Sequence, residues 1–390
     1  MSYLGIIISG PKCAGKTTIA KELVEKTSYF HKVKTITTRA RRTGEDDSEY
    51  KFLSEANFLS LKNSNQLILD TSYNNHLYGI EKNELSFDGK IPIFVIEPST
   101  IKILEENINN MLSKEEKKHL LTFFIDSDDT ELINRFSKRG ESFSLEQLKK
   151  DREFKDNTIY SINNINVEKV VDLIVKLWEF RDVSGLLHKD LIMNGLECGI
   201  FLDNANISYL RGASYDLHLG EEFYYGGRIN KISDEEPFFR IEPYDYAIVT
   251  SSESANLPKN VAAKFDLTVS LFCQGIILSN GPQIDPGFRG KLFCLLFNTS
   301  NKPVVLKKQQ KYATIEFNKL IFHTDKYSGK YQDEHKIINY LPSNVMQGAV
   351  SELKKELDEL KNETKNLHTY FMAVIAIILA TIPLMLIFKG

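Results

Sequence analysis

Residues 10–18 read Gly-Pro-Lys-Cys-Ala-Gly-Lys-Thr-Thr and follow directly on the apolar run Leu4–Ile8. The pattern is G-x-x-x-x-G-K-[ST], set between a short buried strand and a helix expected over Thr17–Lys26. In that setting the loop wraps its backbone N–H groups around the phosphates of a nucleoside triphosphate. Gly10, Ala14, Gly15, Lys16, Thr17 and Thr18 are therefore the expected binding residues for ATP and Mg²⁺. Lys16 reaches the β and γ oxygens, the Thr17 hydroxyl holds the metal, and the following helix turns its positive end toward the same anion. A plain glycine-bearing turn shares the bare pattern, but it requires neither the strand before nor the helix after. The sequence is that of a nucleotide-handling protein.

The chain has 390 residues, 42% hydrophobic and 26% charged, which is enough for two or three ordinary globular domains. A formal net charge of −3 gives no sign of a nucleic-acid partner. Cys13, Cys198, Cys273 and Cys294 are scattered with no C-x-x-C pair, which argues against a zinc site and a disulfide framework. No secretory signal is expected, because Lys12 and Lys16 lie just beyond a strand of about five apolar residues. Cytoplasmic catalytic domains are the expectation.

Strand-like runs at Leu4–Ile8, Lys32–Thr37, Leu67–Asp70, Pro92–Glu97 and Leu121–Asp126 alternate with helix-like runs such as Ser99–Leu112 and Asp129–Lys138. This alternation predicts an α/β domain over residues 1–180, a parallel sheet with ligands at the C-terminal strand edge. Its second chemical cluster is TTRARRTGE over residues 37–45, followed by Tyr50 and Phe52. Guanidinium forks bind phosphate bidentately, so three arginines among threonine hydroxyls suit a second phosphate group. An isolated solvated basic loop is the alternative.

Taken together, residues 1–175 resemble the guanylate kinase family, which pairs the phosphate loop with T-T-R-x-P-R-x-G-E and then Y-x-F. Tyr78-Gly79 matches part of a later Y-Y-G-T segment, and Arg135 with Arg139-Gly140 matches an R-x-x-x-R-G lid. The resemblance implies that Thr35, Arg39, Arg42, Tyr50 and Tyr78 grip an acceptor monophosphate. It also implies that Lys16, Arg39, Arg135 and Arg139 serve phosphoryl transfer. The family's guanine-reading glutamate falls on Leu69, with Asp70 next to it. Of its two aspartates after the next core strand, one falls on Val95 and the other on Glu97, which stays a candidate substrate-binding residue.

Composition shifts near Arg181. Short strand-like runs (Tyr224–Gly227, Tyr244–Ser251, Gly275–Leu278, Gly290–Asn298, Pro303–Lys307, Tyr312–Phe317) separated by turn residues predict an all-β barrel or sandwich over residues 181–345. Three segments, GASYDLHLG at 212–220, SLFCQG at 270–275 and IDPGFRG at 284–290, resemble the dCTP deaminase and dUTPase superfamily in order and spacing. The resemblance implies a homotrimer in which Asp285 meets a sugar hydroxyl or attacking water and Ser270, with Gly275, contacts phosphate. The family's general-base glutamate falls on Leu295 and its phosphate-binding arginine on Cys273. Zinc deaminases are excluded by the missing H-x-E…C-x-x-C.

Val350, Leu353, Leu357, Leu360, Thr364, Leu367 and Phe371 alternate spacings of three and four, which fits a coiled-coil stalk over 346–370 or a lone amphipathic helix packed on the protein body. Phe371 to Phe388 is uncharged and, as a helix, about 27 Å long, which predicts a single-pass C-terminal membrane anchor. Two functions remain open. One is a membrane-anchored enzyme of deoxynucleotide metabolism with kinase-like phosphoryl transfer. The other is a nucleotide sensor of stress or phage-defence type that signals to its anchor.

Overall fold

Ile6, Ile7 and Ile8 are consecutive and wholly buried, so the strand that carries them is covered on both faces, as strands of parallel sheets are. The computed structural model describes residues 2–41, 50–73, 75–85, 89–112, 118–140, 142–341 and 349–387. Its first unit contains β1 (Ser2–Ser9), α1 (Lys16–Lys26), β2 (Phe30–Lys32), β3 (Thr35–Thr37), β4 (Tyr50–Phe52), α2 (Glu55–Asn63), β5 (Leu67–Tyr73) and β6 (His76–Glu81). It continues with β7 (Ile91–Val95), α3 (Ile101–Met111), β8 (Lys118–Asp126), α4 (Asp129–Lys138), α5 (Leu145–Glu153), β9 (Tyr160–Asn163) and α6 (Val167–Glu179).

The main sheet is parallel, in the order β2-β7-β1-β8-β9. Alternation sends Ile6 and Ile8 to one face, in a core with Ile19 and Leu23 of α1 and Val170 and Ile174 of α6. Ile7 faces the other way and packs with Ile101, Leu104 and Ile108 of α3. The expected α/β domain with a parallel sheet is therefore present, with two corrections. The run Lys32–Thr37 is not one strand. It divides into β2, which pairs with β7, and β3, which joins a second sheet of order β4-β3-β6-β5. Leu67–Asp70 likewise lies in that second sheet, antiparallel to β6. A run of alternating residues defines a strand but not its partner, and the partner here is set by the hairpin between Tyr73 and His76.

The second unit begins at β10 (Gly185–Leu186) and continues with α7 (Lys189–Glu197), β11 (Phe201–Asp203), β12 (Ser214–Tyr225), β13 (Arg228–Lys231), β14 (Phe238–Ile241) and β15 (Tyr246–Asn256). It is completed by β16 (Val261–Leu267), α8 (Val269–Phe272), β17 (Ile276–Ser279), β18 (Arg289–Asn298), β19 (Val304–Lys307) and β20 (Lys311–Lys319). β12 pairs with β20 over Ser214–His218 and with β15 beyond Leu219, so one long strand turns the corner between two sets of partners. The expected strand at Tyr224–Gly227 is the end of β12 plus a turn, with Gly226 and Gly227 at φ 60° and 80°, the left-handed pair a two-residue hairpin demands. The strand path runs from β10 to β17, and among the described residues no backbone pairing joins those two ends into a closed barrel.

The units are joined through side chains as well as chain. Asn260 Nδ2 donates to Tyr160 OH at 2.7 Å. Asp156 accepts from Lys326 at 2.6 Å and pairs with Arg289 at 3.2 Å. Lys319, 5% exposed, donates to the carbonyls of Arg181 (2.8 Å) and Val183 (2.6 Å) and so fixes the connecting segment. Burial pulls its pKa from 10.5 down to about 8. Its stabilising contribution is therefore full above 10.5 and is lost as pH falls through about 8. Thermal melts from pH 7.5 to 10 are expected to show this rise in the wild type and to lack it in Lys319→Met.

The last element, α9 (Ala349–Ile387), is one continuous helix. From residue 356 to 379 every position is exposed, with Leu357, Leu360, Leu367 and Phe371 between 51% and 66%, so this stretch does not pack on the protein body. The expected membrane anchor at 371–388 is not found: among the described residues no helix is long and apolar enough to cross a membrane. The described part of the expected anchor, 371–379, follows on the polar Glu363, Lys365 and Asn366, while the side chains of 380–387 and all of 388–390 lie outside the described residues.

Candidate functional site

Two glycines make the phosphate loop possible. Gly10 has φ 138°, and a Cβ there would lie 2.0 Å from the carbonyl oxygen of Ile125. Gly15 has φ 99°, and its Cβ would lie 2.4 Å from Asn164 Nδ2. Neither place admits a side chain. α1 starts at Lys16, so its first N–H groups, which have no intrahelical partner, open into the loop's hollow beside the Thr17 and Thr18 hydroxyls. Lys16 Nζ lies over the loop and donates to the carbonyls of Gly10 (2.6 Å) and Pro11 (2.9 Å). These donors, the hydroxyl of Thr17 and the space that only glycine leaves fit a polyphosphate with Mg²⁺.

A cavity of about 310 Å³ extends from this loop to the second sheet. Ala14, Gly15, Lys16, Thr17 and Thr18 line one end, and Thr35, Arg39, Tyr50 and Tyr78 line the other, with Glu97 and Arg139 also on its wall. The second sheet provides this register: Thr35 pairs with Tyr50, and Thr37 with Tyr78. Arg39 stacks its guanidinium 5.2 Å from the Tyr50 ring and 5.6 Å from Phe52, so the Y-x-F pair holds the arginine in place. Arg42 lies outside the described residues.

Arg135 is placed differently from Arg139. It projects from α4 onto the back of the loop, where Nη1 donates to Ser127 Oγ (3.2 Å) and Cys13 O (3.4 Å), and Nη2 donates to Asn164 O (3.4 Å). Arg139, at the C-terminal end of α4, reaches the cavity itself. Several neighbours have no signal in the motifs. Asn164 donates to Ala14 O at 2.7 Å, and its buried Oδ1 has no partner among the described residues. Arg152 clamps Asp126 through two nitrogens, at 2.8 and 3.1 Å, and so ties α5 to the end of β8. Asp151, buried on α5, contributes to the field around Glu97. The positional clue for Asn164 and Asp126 is that both lie at the C-terminal edge of the parallel sheet.

Burial pushes the Glu97 carboxyl above its ordinary value of 4.5, with the positive Lys16 opposing and Asp151 reinforcing the rise. A carboxyl raised in the folded state stabilises fully below 4.5 and loses that contribution as pH rises. Glu97→Gln is therefore expected to raise the melting temperature of the nucleotide-free protein at pH 7.5, with the gain vanishing near pH 4, measured by differential scanning fluorimetry.

In the second unit, Ser270 lies exposed on α8, its Oγ 3.2 Å from Thr268 Oγ1. Gly275 ends that turn at φ 86°. Asp285, on the Pro-Gly turn, accepts from Gln283 Nε2 at 2.8 Å. Neither Ser270 nor Asp285 lines the large cavity or the small one between the units. Leu295, half-buried on β18, pairs with Ile248 and Ser279, and Cys273 is exposed. Two polar groups of the GASYDLHLG segment are buried and partnered: Asp216 with Arg211 at 2.7 Å and Lys311 at 2.6 Å, and His218, whose Nδ1 lies 3.3 Å from Glu253 Oε1.

A protein-family model described as guanylate kinase matches residues 4–174, and one described as dCTP deaminase-like matches residues 189–320. The guanylate kinase of Helicobacter pylori is 32% identical over 195 residues, covering 45% of this chain and 95% of the relative. The dCTP deaminase of Pyrococcus horikoshii is 33% identical over 130 residues, covering 33% of this chain and 82% of the relative. That of Thermococcus kodakarensis is 37% identical over 124 residues, covering 32% of this chain and 79% of the relative. Through its first unit the chain belongs to the guanylate kinase family, and through its second to the dCTP deaminase-like family.

Proposed function

We propose that the first unit transfers a phosphoryl group from ATP to a nucleoside monophosphate. The observation that carries this reading is the single cavity with the phosphate loop at one end and Thr35, Arg39, Tyr50 and Tyr78 at the other. Two phosphate-binding sets facing one another place donor and acceptor end to end, and phosphoryl transfer needs mainly positioning and charge stabilisation. ATP with Mg²⁺ supplies the phosphoryl group and counter-charge. Lys16 and Thr17 hold it, Arg39 with Tyr50 and Tyr78 holds the acceptor, and Arg135 and Arg139 supply positive charge from α4. The test is incubation of the full chain with Mg-ATP and each nucleoside monophosphate. Diphosphate product is the expected result, and saturable binding without product would defeat the reading.

For the second unit we propose nucleotide binding at Ser270, Gly275 and Asp285 without deamination. The similarity to dCTP deaminases supports the ligand class. Leu295, where the resemblance expects a proton-moving glutamate, supports the missing turnover, since a leucine transfers no proton. This favours the sensor reading for this unit. Val269 and Phe272 flank Ser270 at 75% and 68% exposure, and such apolar side chains fit a site completed by neighbouring subunits. A homotrimer, with α9 as its stalk, is the assembly proposed; light scattering of the full chain should give three times the monomer mass. Incubation with dCTP should give no dUTP.

A further inference from the structure

The wall that β5, β6 and the end of β7 give the large cavity has a composition with a chemical consequence. β5 alternates, so Leu69 and Thr71 face the cavity while Asp70 faces away. Asp70 is engaged there, 2.5 Å from Lys62 Nζ. β6 alternates in the same way and presents His76, Tyr78 and Ile80 to the cavity. Val95, at the end of β7, completes the wall. The one carboxylate among the described lining residues is Glu97, which stands in the field of Lys16 and Lys12 at the phosphate end.

With Thr35 serving the acceptor's phosphate, the polar side chains left for a base on this wall are the Thr71 hydroxyl and the His76 imidazole. The hydroxyl donates one hydrogen and accepts at its oxygen, the neutral imidazole donates at one nitrogen and accepts at the other, and neither offers two acceptor oxygens side by side as a carboxylate does. A base rich in N–H donors fits poorly. Guanine presents an N1–H and an exocyclic amino group side by side, and adenine and cytosine each present an amino group. Guanine's adjacent pair is matched by the two oxygens of a carboxylate, which this wall lacks among the described residues, and a donor left over loses its hydrogen bond to water and gains none. Thymine and uracil present two carbonyl acceptors and a single N–H. Thr71 and His76 can donate to the carbonyls, the Thr71 oxygen can also accept the N–H, and Leu69, Ile80 and Val95 suit the apolar edge and the methyl of thymine.

We propose that the acceptor subsite selects a carbonyl-edged pyrimidine, a thymidine or uridine monophosphate, with Leu69 as the residue that determines specificity. This rests on the reading of the cavity as a monophosphate site, and the experiment separates the two. Binding of dTMP, dUMP, dCMP, dAMP and GMP to the full chain is measured by calorimetry without ATP, and phosphoryl transfer to each is measured with Mg-ATP. The expected result is a preference for dTMP or dUMP over GMP of about 10- to 100-fold, the range that one mismatched apolar contact or unmet donor produces. Equal or tighter GMP binding overturns the selectivity and leaves the kinase reading standing. Pyrimidine binding with no transfer to any monophosphate overturns the kinase reading and leaves the selectivity standing. Leu69→Glu should shift the preference at least about tenfold toward GMP by providing the missing acceptor. Leu69→Met, which keeps the apolar wall, should retain the wild-type order; loss of that order in Leu69→Met overturns the assignment of selectivity to this wall. The wild-type comparison decides the matter even if the buried glutamate prevents folding.

Discussion

Replacing Lys16 with alanine is expected to reduce phosphoryl transfer by about 1,000-fold while leaving the melting temperature nearly unchanged. The ammonium donates to the carbonyls of Gly10 and Pro11 on its own loop, so the fold loses two part-buried hydrogen bonds there. What it loses chemically is a flexible cation on the loop itself, placed to follow the transferring oxygens from the ground state to the transition state. Interactions that strengthen only there lower the barrier, and removing one such donor typically reduces turnover by two to three orders of magnitude. The measurement is kcat by coupled detection of ADP in the wild type and in Lys16→Ala, beside their melting curves. Undiminished turnover in the variant would separate the activity from this loop.

Arg135 gives the second large effect, with a different signature. Its guanidinium lies against the loop through Cys13 O, Ser127 Oγ and Asn164 O, and it is paired with Glu131 Oε1 at 2.8 Å. It therefore carries charge to the back of the phosphate loop and also braces it. Arg135→Ala is expected to reduce kcat by about 1,000-fold, the lower end for an arginine that stabilises transferring phosphoryl charge. Ser127→Ala separates bracing from charge, because it removes the 3.2 Å hydrogen bond and leaves the guanidinium. A small loss in Ser127→Ala beside a large one in Arg135→Ala assigns the effect to charge; equal losses assign it to loop geometry.

Legibility in the sequence followed the range of the interactions involved. The loop at residues 10–18 could be read because all its parts are local: a buried strand, two glycines whose φ values admit no other residue, and a helix start. The proposed acceptor residues Thr35, Arg39, Tyr50 and Tyr78 could be read by resemblance, but their meeting in one cavity depends on the pairing of β3 with β4 and β6. Asn164 and Asp151 carried no motif. They reach the loop because β9 and α5 are brought to it by the sheet order and by the Arg152–Asp126 clamp. The membrane anchor was expected from composition at 371–388, and the described part of α9 does not supply a span.

By itself, then, the sequence determined that an α/β nucleotide-binding unit precedes a β-rich unit, since strand and helix periodicity and loop glycines are local properties of the chain. The tertiary structure decided the rest. It split Lys32–Thr37 between two sheets, and it sent Asp70 to Lys62 and Leu69 to the wall of the large cavity. It also joined the units through Asp156, Arg289 and Lys326. The physical reason is that a strand's pattern fixes which residues share a face. What each face meets is chosen by pairing partners that are far away in sequence.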